Sequence, residues 1–255
     1  MATPNQGITP RLLAIQRHLR GVRGRLLWVF LAFGVGSGLT WYYRKIVIGW
    51  LLLPGGGQLS ATGRPIFTNP TDMFSVSIHL MMLGGVVVAF PVLVYHVFRF
   101  LRPLLNKQQG RFVAIFLPAG FVFFLAGTAF AYFVVLPTGL RFLLKFDLDI
   151  ADPMIRITEY FDIALALLFW LGIVFELPLA MFLAVKLRVV SYQRIKSFSR
   201  YVPFAAFILS ALITPTMDIV NQTLVAVPLI LLFAVGTFLA WLARPKQRRL
   251  RNQGI

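Results

Sequence analysis

Residues 160–185 read YFDIALALLFWLGIVFELPLAMFLAV. As a helix this run of 26 residues is about 39 Å long, more than the roughly 30 Å of hydrocarbon in a bilayer. Four more runs reach crossing length: Leu26–Tyr43, Met73–Phe98, Phe112–Leu140 and Leu224–Ala243. A sixth, Tyr201–Ile213, extends to only about 20 Å. The composition agrees. The 255 residues are 58% hydrophobic and 13% charged, against about 45–50% and about 25% in soluble domains. An ordinary cytosolic enzyme and a disordered chain are excluded. With no cysteine, so are a disulfide scaffold, a thiolate metal site and a cysteine nucleophile. The expected fold is all-α, a polytopic membrane protein.

The connections carry the orientation. Four of them hold 19 of the 25 Lys and Arg residues and no acid. These are the segment before the first span (Arg11 to Arg25), the loop Arg99–Arg111, the loop Lys186–Arg200 and the tail from Arg244. Seven of the eight acids lie on or near the opposite side. The positive-inside rule therefore predicts six spans with both termini in the cytoplasm. Five spans break the alternation, so the short run counts as a crossing. The net charge of +17 is mainly a topological signal. Its division among four membrane-side segments argues against nucleic acid and for anionic lipid headgroups. The expected layout is one membrane domain: a cytoplasmic amphipathic segment 1–25, a bundle 26–243 and a basic tail 244–255. The first run ends in Trp41-Tyr42-Tyr43-Arg44-Lys45, without the small-residue pattern of a cleaved leader.

Within this frame a few residues stand out. Leu12, Ile15, Leu19, Val22 and Leu26 form one helical stripe with arginines around it. It reads either as a docking helix or as an interfacial anchor for the first span. Glu176 is the one acid deep in a span, and an ionisable group there costs several kcal/mol unless protonated, paired or wetted. Pro178 removes a backbone donor two residues later and frees the carbonyl of Val174. Together they predict a break facing a polar cavity; the plainer reading is a neutral acid bonded to a neighbouring helix. Pro91, Pro118 and Pro228 sit inside other spans, and Pro137 near the outer end of the third, so the bundle is expected to be kinked and concave. Thr214-Pro215-Thr216-Met217-Asp218 is a short outer turn, with Asn221, Gln222 and Thr223 following. It reads either as a dock for a partner's transmembrane helix or as a capped, polar interface. His18, His79 and His96 lack metal-site spacing, and no catalytic set or phosphate loop is visible. Neither enzyme activity nor a cofactor or metal is expected.

The motifs resemble those of the TatC family, the core subunit of the twin-arginine protein translocase. His18-Leu19 with Arg23-Gly24-Arg25-Leu26 is similar to its HLxELRxRL segment. Pro70-Thr71-Asp72-Met73-Phe74 resembles PTEAF, and Phe100-Leu101-Arg102-Pro103 resembles the end of its P…W.F..PgL stretch. Phe124 to Pro137 resembles F..G..FaYfvvlP, and Phe175-Glu176-Leu177-Pro178 matches FElP. Thr214-Pro215, Asp218 and Gln222 with Pro228 resemble the segment before and within the last span. The resemblance runs from about His18 to Trp241. It implies a receptor for signal peptides bearing paired arginines, which moves folded proteins using the proton-motive force. It implies a hetero-oligomer with single-span TatA-type and TatB-type subunits in the inner (plasma) membrane, the thylakoid membrane being the alternative. Carried over by residue, the signal-peptide site comprises His18, Leu19, Gly21, Arg23, Pro103 and Gln109. Glu176 and Pro178 form the intramembrane polar site. Thr214, Pro215, Asp218 and Gln222 form the partner-helix dock.

Two departures bear on this. In the family two glutamates read the arginine pair; here Gly21 and Gln109 align with them. Hydrogen bonds involving charged groups are worth about 1.5–3 kcal/mol each, so losing two lowers affinity by roughly two to four powers of ten. A further family glutamate in the last span aligns with Ala234. Two alternatives therefore stand beside the receptor: a TatC-like scaffold without arginine-pair recognition, and a small proton-coupled secondary transporter using Glu176.

Overall fold

The computed structural model describes residues 9–55, 65–101, 107–145, 155–213 and 219–244. Its helices are α1 (Thr9–Tyr42), α2 (Arg44–Leu52), α3 (Asp72–Leu101), α4 (Lys107–Phe130), α5 (Leu136–Lys145), α6 (Ile157–Val174), α7 (Leu177–Lys186), α8 (Tyr192–Phe198), α9 (Val202–Ile213) and α10 (Ile219–Leu242). Among the described residues, extended pairing is confined to one isolated bridge between Ile66 and Arg156. Five stretches are long and apolar enough to cross a membrane: Gly24–Tyr42, Asp72–Val97, Pro118–Phe142, Ile157–Lys186 and Gln222–Leu242. The all-α, polytopic expectation therefore holds. The short sixth run is α9, only 12 residues long.

Two boundaries differ from the sequence reading, each for a local reason. The amphipathic segment and the first span are one continuous helix, α1, because no proline separates them between Arg11 and Tyr42. The third run is not uniformly α-helical. Residues Ala131–Val135 form a π turn between α4 and α5. The cause is Pro137, which has no N–H for the carbonyl of Phe133, so the ladder shifts register just before it. Leu136 N–H instead bonds the Ala131 carbonyl, and Thr138 Oγ1 donates to the Val134 carbonyl at 2.6 Å.

The helix formed by the deciding stretch lies at the centre. Half of the Ile157–Lys186 span is buried within the protein, against 6% of the Gly24–Tyr42 span. Tyr160, Phe161, Ala164 and Leu171 on α6 are almost fully enclosed. The break after Val174 lets the chain follow two partners: α6 packs on α4 and α3, and α7 packs on α10. Close approach is made by glycines. A Cβ on Gly127 falls 2.5 Å from the Leu171 carbonyl oxygen, and one on Gly172 falls 2.7 Å from the Phe124 ring. On the far side α1 meets α3 through Gly36, Ser37 and Thr40 against Gly84, Gly85 and Val88. Ser37 Oγ donates to the Met81 carbonyl at 3.1 Å across that seam.

The end of the bundle beside the last turn of α2 is tied by polar groups. Helix α2 runs into a short 3-10 turn, where the Leu53 N–H bonds the Trp50 carbonyl. Tyr132 donates its hydroxyl to the Trp50 carbonyl at 2.6 Å, and Tyr160 donates to that of Leu51. The Asp72 carboxylate accepts the Thr68 and Asn69 amides, each at 3.0 Å, and lies 3.6 Å from the Arg156 guanidinium. At the other end of the bundle Arg188 closes α7 with φ +61°. This is the left-handed cap position that glycine fills without a steric penalty. Arg188→Gly is expected to stabilise the protein by about 1 kcal/mol, read as a higher thermal midpoint in detergent. An unchanged or lower midpoint would mean the arginine side chain offsets its own strain.

Candidate functional site

The intramembrane site grows from the break in the central span. Phe175 N–H still bonds the Leu171 carbonyl at 3.0 Å, but Glu176 N–H reaches the Ile173 carbonyl, tightening the turn. Pro178 then starts α7 at its second residue, where a missing N–H is tolerated. The helix thus breaks at Phe175–Glu176, between α6 and α7. The Glu176 side chain is half-buried and lies against α4 at Gly120. A Cβ there comes within 3.4 Å of Glu176 Oε2, an ordinary contact, so the glycine leaves only limited space. Among the described residues Glu176 Oε1 is buried without a hydrogen-bond partner. Around it, Phe175 faces Phe130 with ring centroids 5.5 Å apart, and Phe124 stacks on Phe90 at 4.2 Å. Chemically this is one acidic group at membrane depth with an unsatisfied oxygen, able to accept or hold a proton or a donor from outside the chain.

The segment Thr214–Gln222 is described in part. Gln222 Nε2 donates to the Phe207 carbonyl at 2.8 Å, and the Ser210 hydroxyl donates to the Gln222 carbonyl. Gln222 therefore pins α10 to α9, using its amide donor inside the chain. Thr214, Pro215 and Asp218 lie outside the described residues. Gln222→Leu is expected to cost roughly 1 kcal/mol, the scale of an interhelical amide bond in a membrane. Cysteines at positions 207 and 222 in an otherwise unchanged chain are expected to crosslink; no crosslink would mean that α9 and α10 do not meet there.

The residues expected to form a signal-peptide site fall on two helices. His18, Leu19, Gly21 and Arg23 lie on the first half of α1, and Gln109 lies in the first turn of α4. Their side chains, and all of Pro103, lie outside the description.

One pair escaped the sequence reading. His79 Nδ1 donates to Asp162 Oδ1 at 3.0 Å, joining α3 to α6. Asp162 had been grouped with the outer loops. The available signal was its position five residues inside an apolar helix that starts at Ile157. Among the described residues no group of three or more His, Cys, Asp or Glu is arranged to hold a metal.

These features meet known proteins at one point. Residues 17–228 match the family described as Sec-independent protein translocase protein (TatC). The chain belongs to the TatC family. The TatC protein of Koribacter versatilis is 33% identical over 244 residues, covering 94% of this chain and 90% of that one. The TatC protein of Aquifex aeolicus is 32% identical over 242 residues, covering 94% and 100%. A crystal structure of a twin-arginine translocase receptor, TatC, superposes with a TM-score of 0.78 at 33% identity, covering 89% of this chain and 99% of that one. A TatC-family chain is a membrane component of protein transport, not an enzyme, and the secondary-transporter reading falls away.

Proposed function

We propose that this TatC-family chain is the signal-peptide receptor of a twin-arginine translocase. The observation that carries the proposal is the ordered match to a family whose solved member is described as that receptor. The peptide would meet the amphipathic start of α1 and the connection between α3 and α4, around Gly21 and Gln109. Glu176 would engage cargo or partner from within the bundle, where its Oε1 has no hydrogen-bond partner among the described residues. The segment from Thr214 to Gln222 would dock the helix of a TatA-type or TatB-type subunit. The proton-motive force would drive transport. Charge alternation supports six crossings, α9 included, with both termini in the cytoplasm and the inner (plasma) membrane as the location. A 12-residue crossing is about 18 Å long and requires local thinning or close protein neighbours.

The test is site-specific photocrosslinking in native membranes, with probes at positions 21 and 109. An Arg-Arg signal peptide is compared with its Lys-Lys variant. Guanidiniums make bidentate bonds that an ammonium does not, so selective crosslinking to Arg-Arg is the expected result. Equal or absent crosslinking would leave a TatC-fold scaffold that does not read the arginine pair.

A further inference from the structure

The turn and short helix between α7 and α9 belong to neither site above. Their charge is one-sided: from Leu177 to Met217 the sequence holds no Asp or Glu, while Arg194, Lys196 and Arg200 fall within seven positions. All three are exposed. Helix α8 is held from behind. Tyr192 and Ile195 pack on Met181, Val185, Ala240 and Ala243, and the Arg244 guanidinium lies 3.2 Å over the Tyr192 ring. Ser191 starts the helix, its Oγ accepting the Arg194 amide at 3.4 Å. The helix therefore has a defined inner face and a defined outer one.

That outer face is not what water selects. Val189, Phe198 and Tyr201 are 73%, 62% and 58% exposed. Phe198 and Tyr201 contact edge to face at 6.1 Å, with the Arg200 guanidinium 5.9 Å from the Tyr201 ring. Arg194, Phe198 and Tyr201 follow at four and three residues, so cation and aromatics share one side. Exposed aromatics beside cations that pair with no acid among the described residues suit the boundary where acyl chains meet headgroups. There rings enter the apolar layer, while Arg and Lys reach the phosphate plane. A polar protein partner leaves the aromatics unexplained; a neutral lipid leaves three cations without counter-charge.

We infer that α8 and the turn before it form a binding surface for the phosphodiester headgroups of anionic phospholipids in the adjoining leaflet. This goes beyond the general attraction of a basic face to a membrane, because it assigns the contact to one element. It does not depend on the signal-peptide reading.

Native mass spectrometry of the full-length protein tests it, with phosphatidylglycerol and phosphatidylcholine supplied separately. The wild type is expected to retain phosphatidylglycerol on the order of a hundredfold better, since each of the three cations near an anionic surface contributes about fivefold. A triple variant, Arg194→Gln with Lys196→Gln and Arg200→Gln, is expected to lose that preference. Arg99→Gln with Lys107→Gln and Arg111→Gln, in another basic connection, is expected to keep it. Should the first triple variant misfold, a photoactivatable phosphatidylglycerol on the wild type gives the answer independently, with adducts expected in peptides spanning 189–201. Adducts confined to other segments would overturn the assignment. So would a preference that survives the first triple variant, or displacement of the lipid by inorganic phosphate alone, which marks a free-anion site.

Discussion

A Gly127→Leu variant is expected to melt about 10 °C below the wild type in detergent, followed by tryptophan fluorescence. The position sits where α4 crosses the central span. A Cβ there is 2.5 Å from the Leu171 carbonyl oxygen and 2.8 Å from the Phe175 side chain. A flexible side chain turns aside, but a helix carbonyl does not, so the two helices must separate. Overpacking costs typically 1–3 kcal/mol and sometimes more, and a chain of this size loses about 2–4 °C per kcal/mol. Separation at this point also moves Phe175, the neighbour of Glu176. Gly38→Leu is the control: nothing lies within 4 Å of its Cβ position, so its midpoint should shift by no more than about 2 °C. A Gly127→Leu protein that melts with the control would mean the α4–α6 crossing is looser than its geometry.

The second large effect concerns recognition. Gly21→Glu combined with Gln109→Glu is expected to raise affinity for an arginine-pair peptide by roughly two to four powers of ten. Two guanidiniums favour carboxylates, which give charge-assisted and often bidentate bonds. The four basic segments hold 19 cations and no acid, so a peptide that approaches them meets a repelling charge. Gln109 retains an acceptor oxygen, and Gly21 has no side chain at all. The two single variants should each recover part of the gain, Gly21→Glu the larger. Peptide binding to the reconstituted protein at fixed ionic strength is the measurement, because surface electrostatics weaken with salt. No change in affinity would place the arginine-pair site elsewhere, on a partner subunit or on another segment of this chain.

The break in the central span was legible because it depends on neighbours in sequence. Proline at 178 removes a donor wherever the helix sits, and the turn at Phe175–Glu176 follows. The π turn before Pro137 rests on the same chemistry, yet the sequence reading saw only a kink. How a ladder absorbs a missing bond depends on which carbonyls find other donors, and Thr138 supplies one. The pairing of His79 with Asp162 was not legible, since nothing along the chain says that residues 83 positions apart share a face. Gln222 is another such case: an N–H of its side-chain amide bonds the Phe207 carbonyl fifteen residues back, which its motif does not spell out.

The sequence by itself determined the solvent of this protein, its all-α class and the place of its central kink. Those follow from hydrophobic run length, the absence of water for backbone groups in a bilayer, and proline chemistry, all local quantities. Only the tertiary structure decided which helix is central and how closely each pair approaches. It also decided which polar groups are satisfied within the chain. In a bilayer every span is apolar on all sides, so hydrophobicity does not tell a buried face from a lipid-facing one. Glycine seams and interhelical hydrogen bonds make that distinction, and they exist only once the helices meet.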